Sequence, residues 1–200
     1  MKAFKIEKKS ELYDVIKSCG NILKRVPFGA KAEMKQIIYE AETRTLYATN
    51  GKALLAYMTG EIEEALGSGL KNGFLCLGGP FVVLHELEEE EFPYSLLKMM
   101  KSIIDRPEDE QTRYSCEFDR HSSLFTPASG IVMGCAKKGV CVSDLLLSPF
   151  NIMGHLFKYM VLRPKSVEPI KFKGDKAIFV VMPMVSSDWE EVGGLDENNH

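Results

Sequence analysis

The residues able to do chemistry are few and dispersed. The cysteines are Cys19, Cys76, Cys116, Cys135 and Cys141, and the histidines are His85, His121, His155 and His200. None of them falls into C-x-x-C, H-E-x-x-H or zinc-finger spacing, so the pattern assigns no metal. An odd number of scattered thiols reads as free, buried cysteine in a reducing compartment, and the expected localisation is cytoplasmic. No serine sits in a G-x-S-x-G elbow, and there is no G-x-x-x-x-G-K-[ST] loop. Gly67-Ser68-Gly69-Leu70-Lys71-Asn72-Gly73 misses G-x-G-x-x-G by one residue and leads into a strand, where a dinucleotide site needs a helix. Glu86 with Glu88 to Glu91 could hold a hard cation, but it lacks the interleaved turn residues of a calcium loop and reads as a solvated acidic edge. A nucleophile pair assembled by the fold from Cys135, Cys141 or His85 is the one enzymatic reading left. No catalytic residue and no cofactor are assigned.

Charge carries more information than any motif. Over 200 residues the formal net charge is only -3, yet residues 1 to 36 sum to +5, residues 61 to 91 to -7, residues 137 to 176 to +5, and the last thirteen hold five acids and no base. Such alternation suits one basic face on an otherwise acidic exterior, and therefore a polyanionic partner. Apolar residues make up 45% and charged residues 26% of the chain, the balance of a globular domain. No segment offers the roughly 20 apolar residues of a membrane span, and Met1 to Glu7 alternates like a strand where a secretory leader would carry an apolar block.

The elements that must position these charges follow from periodicity. Residues 3 to 9 alternate as a strand, and Ser10 opens a helix to about Arg25 with the stripe Leu12, Val15, Ile16, Cys19, Ile22 and Leu23. Lys17, Asn21 and Lys24 make one line on its other face. Residues 34 to 58 read as a β-meander broken at Glu42-Thr43-Arg44 and at Asn50-Gly51, a dipeptide typical of type I′ hairpins. Phe74 to Leu77 and Phe81 to Leu87 are strand candidates, and Phe92 to Ile104 a short helix. A second helix begins at Ser148-Pro149 and closes at Arg163-Pro164, with the stripe Phe150, Met153, Leu156, Phe157 and Met160 and the polar line Asn151, His155 and Lys158. A hairpin over Pro169 to Lys173 and Ala177 to Met184 follows, so helix plus meander occurs twice, a weak internal repeat.

Two of these segments carry a resemblance. Leu46-Tyr47-Ala48-Thr49-Asn50-Gly51-Lys52-Ala53-Leu54-Leu55-Ala56 resembles the L-V-A-T-D-G-H-R-L-A hairpin of the bacterial DNA polymerase sliding clamp (β-clamp) family, and Val180-Val181-Met182-Pro183-Met184 resembles its closing V-V-M-P-M-R-L. Glu91-Phe92-Pro93-Tyr94 is similar to that family's R-F-P-D-Y, and Pro149 to Met160 to its last helix. The likeness covers residues 37 to 105 and 140 to 184. Lys52 and Ala53 stand where the family has His and Arg, and Val185 and Ser186 where it has Arg-Leu.

The resemblance implies a compact, divergent relative with an α+β, DNA-clamp-like fold. Helices pack on curved antiparallel sheets in a clamp-like domain over residues 1 to 187, about one clamp domain with a divergent, inserted middle segment at 66 to 139 and an acidic, disordered tail at 188 to 200. It implies a non-enzymatic, homo-oligomeric processivity factor that encircles or cradles duplex DNA, independent of sequence, and tethers a polymerase or repair protein through short hydrophobic motifs. The expected DNA-facing residues are Lys17, Asn21, Lys24, Asn151, His155, Lys158 and Arg163. The expected partner groove is Thr49, Gly51, Lys52, Leu54, Val181, Met182, Pro183 and Met184. A monomeric adaptor that binds replication proteins without DNA is the alternative, and the small cysteine/histidine enzyme is a third.

Overall fold

A computed structural model describes residues 1–108, 113–115, 124–126, 130–133, 140–143, 146–161 and 168–183. The first unit runs β1 (Lys2–Lys5), α1 (Glu11–Leu23), then the meander β2 (Ile37–Glu40), β3 (Thr45–Thr49) and β4 (Ala53–Met58). Ser10 caps α1 as its sequence position predicts, its Oγ accepting from Tyr13 N at 3.2 Å, with Glu11 and Asp14 in the first turn. A short helix α2 (Glu61–Leu66), the hairpin β5 (Gly73–Gly78) and β6 (Phe81–Glu86), and α3 (Tyr94–Ile104) follow. Strands β7 (Arg113–Ser115), β8 (Leu124–Thr126), β9 (Gly130–Met133) and β10 (Val140–Ser143) lead to α4 (Ser148–Met153), and the chain then forms β11 (Tyr159–Val161), β12 (Ile170–Lys173) and β13 (Ala177–Val181).

Ten of the described strands form one antiparallel sheet in the order β1-β6-β5-β2-β3-β4-β13-β12-β11-β7, and β8 to β10 form a separate three-stranded sheet. The helix-plus-meander repeat is therefore real, and its two units meet where their last strands pair, with Val180 opposite Leu54 and Val181 opposite Ala53.

Alternation along the central strands sends side chains into two separate cores. Ile37, Tyr39, Leu46, Leu55, Tyr57, Phe172, Phe179 and Val181 pack under α1, α2 and α4, where they meet Leu12, Ile16, Ile62 and Met153. Ile38, Tyr47, Leu54, Ala56 and Val180 project to the other face and are covered by Leu97 and Met100 of α3. The central strands are thus buried on both faces, which is why they read as nearly continuous apolar runs. Phe157, Phe172 and Phe179 form an aromatic cluster with centroids 5.8 to 6.3 Å apart.

Two sequence expectations need correction. The second helix does not reach Arg163: α4 ends at Met153, a 3-10 turn spans Gly154–Leu156, and Tyr159 to Val161 is already strand. Ladder pairing decides the matter, since β11 lies between β12 and β7 and Lys158 N donates to Lys173 O at 2.7 Å. The Asn50-Gly51 connection is not type I′ either. Its two loop residues are Gly51 and Lys52, and φ is positive (83°) only at Gly51, the pattern of a II′ turn.

Candidate nucleic-acid and partner interfaces

On α1 the expected polar line holds. Lys17 and Lys24 are exposed and Asn21 is half-buried, while Leu12, Val15, Ile16, Cys19 and Ile22 turn inward. The line borders a groove of about 330 Å³ whose other wall is Lys35, Gln36, Ile37, Leu75, Cys76 and Leu77. The groove exists because β2 pairs with β5 only as far as Ile37 opposite Leu75, so Cys76 to Gly78 run on beside α1. Three ammonium groups thus line one depression, and among the described residues none of Lys17, Lys24 and Lys35 is in an ion pair.

The line Asn151/His155/Lys158 is not a helical stripe, because α4 stops short of it. His155 is exposed on the 3-10 turn. Lys158 immediately precedes β11 and is also exposed, but its Nζ lies 2.6 Å from a carboxylate oxygen of Asp175, so that cation is already partnered. The side chain of Asn151 and the whole of Arg163 lie outside the described residues. α4 itself packs against α1 on one face of the sheet.

The two motif segments expected to form a partner groove are brought together within a single chain. Beyond the β4–β13 ladder, Met182 N donates to Lys52 O at 2.8 Å. Gly51 and Lys52 are exposed, Met182 is 38% exposed and Pro183 is half-buried, whereas Met184 lies outside the described residues. Thr49, Leu54 and Val181 are buried, and Leu54 is roofed by α3. Thr49 does structural work: its Oγ1 donates to Ala53 O at 2.8 Å and accepts from Gly51 N at 3.1 Å. Asn50, buried beside it, accepts from Lys52 N and Ala53 N at 2.9 and 2.8 Å and donates to Ile22 O at 3.3 Å. That last bond fastens the hairpin to the end of α1. From sequence Asn50 has only a turn role, and no spacing signal reveals a contact across 28 positions.

Sequence reasoning also missed the α3 anchor. Lys101 reaches Glu40 at 2.6 Å, and Glu40 in turn accepts from Thr43 Oγ1 and Tyr47 Oη at 2.5 and 3.2 Å. Burial, then the Glu40 charge, pushes the Tyr47 phenol up to about 12. Two acids of the acidic run have ordinary partners: Glu86 accepts from Lys2 Nζ and Lys71 N, and Glu88 pairs with Lys71 Nζ at 3.0 Å. Those amide and ammonium donors hold Glu86 below the ordinary carboxylate value. Cys19 is buried on the inner face of α1 and desolvation pushes its thiol up to about 12, so it stays protonated at neutral pH. Cys76 and His85 are exposed, while Cys116, Cys135, His121 and His200 lie outside the described residues, as do the side chain of Cys141 and the 188–200 tail. No described helix is long and apolar enough to cross a membrane.

No protein-family model and no curated protein matches the sequence. Among solved structures the fold is similar to bacterial sliding clamps. Against the DNA polymerase sliding clamp from Pseudomonas aeruginosa the TM-score is 0.44 at 11% identity, over 95% of this chain and 67% of that one. Against the Helicobacter pylori beta clamp bound to a DNA ligase peptide it is 0.48 at 14% identity, over 92% and 66%. Against the Bacillus subtilis clamp it is 0.47 at 10% identity, over 92% and 64%. The chain spans about two thirds of the length of these clamps.

Proposed function

We propose that this chain is a clamp-like, non-enzymatic protein that holds duplex DNA against the face built by α1 and α4 and tethers a replication or repair factor. The observation that carries the reading is the groove beside α1, where Lys17, Lys24 and Lys35 converge without an ion pair among the described residues. Long, mobile ammonium side chains around a shallow depression suit phosphates, whose attraction is independent of sequence and falls with salt. The acidic stretch at 61 to 91 discourages contact with DNA elsewhere on the surface. Lys52, Met182 and Pro183, side by side at one end of the sheet, are the accessible part of a surface for a short hydrophobic client segment.

The experiment is charge reversal. Lys17→Glu, Lys24→Glu and Lys35→Glu together are expected to weaken retention on duplex DNA equally for all sequences. The slope of log affinity against log salt should flatten by about 0.9 for each lost phosphate contact. Unchanged retention and slope would return these lysines to ordinary solvated surface. Binding of a clamp-directed peptide without any DNA retention would favour the adaptor reading. Light scattering on the same samples decides between a monomer and the oligomer that a closed ring requires.

A further inference from the structure

We propose that Phe28 is a base-stacking residue: the loop after α1 presents its ring to an unpaired base of a single nucleic-acid strand while the lysines on either side take the neighbouring phosphates. This rests on the reading of the α1 face as a nucleic-acid surface and names a second, distinct ligand for it.

Phe28 is fully exposed, whereas every other phenylalanine whose side chain is described has more than half its surface covered. The exposure is built in. Arg25 N donates to Ile22 O and Val26 N to Leu23 O, which tightens the end of α1 and aims the chain outward. Pro27 then fixes its own φ, Ala30 N donates back to Pro27 O at 3.1 Å, and Gly29 takes a φ of 83°. Positive φ at the third of four residues is the geometry of a type II turn, with Phe28 at one corner. A rigid turn holding a phenyl ring in water presents it in advance, so little freedom is lost when the ring meets a partner.

Charge selects the partner. Lys24 and Lys31 bracket the turn, Lys35 follows, all three are exposed, and none is in an ion pair among the described residues. Lys24 and Lys35 also line the groove beside α1, so the turn stands at one end of that cationic track. An aromatic ring set within lysines is how single strands are held without sequence preference, because every base has a π face. A duplex offers no such face, since its bases are stacked and paired. A membrane surface asks for a broad apolar face, whereas Val26 is half-buried and Phe28 stands alone.

The test uses the full chain as wild type, as Phe28→Ala, and as Phe28→Trp with Trp189→Phe. Each is titrated with a labelled single strand of about 16 nucleotides, the upper end of such site sizes, and with the same sequence fully paired. Phe28→Ala is expected to weaken single-strand binding roughly tenfold and to leave duplex binding within about twofold. The indole at position 28 should be quenched by the single strand and not by the duplex. Equal effects on both ligands, no effect on the single strand, or an unquenched indole would overturn the stacking role while leaving the duplex reading in place. Wild type that retains neither ligand overturns both. An indole that responds only to phosphatidylserine vesicles assigns the ring to membranes and also overturns the proposal.

Discussion

Lys171 Nζ donates to the main-chain oxygen of Ile104 at 2.6 Å, so a residue of β12 closes the C-terminus of the helix that lies over the sheet. The same ammonium reaches Arg106 O at 3.2 Å and Glu108 Oε1 at 3.4 Å, and Lys173 Nζ reaches Glu108 at 2.9 Å. Burial pushes Lys171 below its ordinary value against the pull of Glu108. Burial pushes Glu108 up, but Lys173 and Lys171 outweigh it and hold the carboxyl below the usual range.

Lys171→Met should therefore cost about 2–4 kcal/mol in urea unfolding, because it leaves the Ile104 carbonyl without its buried donor and Glu108 with one cation fewer. Amide exchange should quicken first in α3. Exchange that quickens uniformly, with α3 no different from β3, would mean that Lys171 does not hold the helix.

Leu54 and Met182 stand near one another in the fold but answer to different forces. Leu54→Ala should destabilise by about 2–5 kcal/mol, since it opens a cavity beneath Leu97 and Met100. Met182→Ala should stay within about 0.5 kcal/mol of wild type and act only on client binding. Equal unfolding midpoints for the two variants would contradict the burial on which the distinction rests.

Phe172 sits among Phe157 and Phe179 with none of its side chain in water. Phe172→Ala should lose about 3–5 kcal/mol by calorimetry or denaturant, and Phe172→Leu less than half of that because most of the volume is kept. A small loss for the alanine variant would show that the cluster is loosely packed.

Alkaline pH should lower the stability of the fold over two successive intervals. Cys19 has an ordinary value of 9.0 and is pushed up to about 12 in the fold. The folded chain therefore keeps a proton that the unfolded chain gives up, and stability is full below pH 9 and falls as pH rises toward 12. The slope in that window is about 1.4 kcal/mol per pH unit. Above pH 10 the buried phenols of Tyr39, Tyr47 and Tyr57 add to it with the same sign. Cys19→Ala should be flat between about pH 9 and 10 and then fall. A variant as steep as wild type in that first interval would assign the loss to other groups.

Local signals were legible wherever a local cause existed. Ser10 and its helix, the breaks at Glu42-Thr43-Arg44 and Asn50-Gly51, both hairpins and the helix ending at Ile104 all follow from capping, turn chemistry and periodicity. What pattern could not reach was set by distant partners. The stripe through Met160 is a good 3.6-residue match, yet pairing of Tyr159–Val161 with β12 turns it into strand. α2 leaves no mark in the sequence, because six residues with only Ile62 buried carry no period. For the sites, the outward placement of Lys17, Asn21 and Lys24 on α1 was legible in the sequence, whereas the pairing of the two motif segments within one chain was set by the β4–β13 register. The roof of α3 over Leu54, and the groove opened by the early end of β2, depended on register and could be seen only in the fold.

Asparagine followed by glycine is the dipeptide most prone to lose its amide nitrogen, through attack of the following backbone nitrogen on the carboxamide carbon. At Asn50 the ingredients of that reaction are held apart. Gly51 N–H is donated to Thr49 Oγ1, and the carboxamide is fixed by Lys52 N, Ala53 N and Ile22 O. Of the two Asn-Gly bonds in the chain, Asn50-Gly51 and Asn72-Gly73, the first is consequently slow to deamidate while the protein is folded. Isoaspartate accumulating at position 50 becomes a clock that advances only while the end of this hairpin is open.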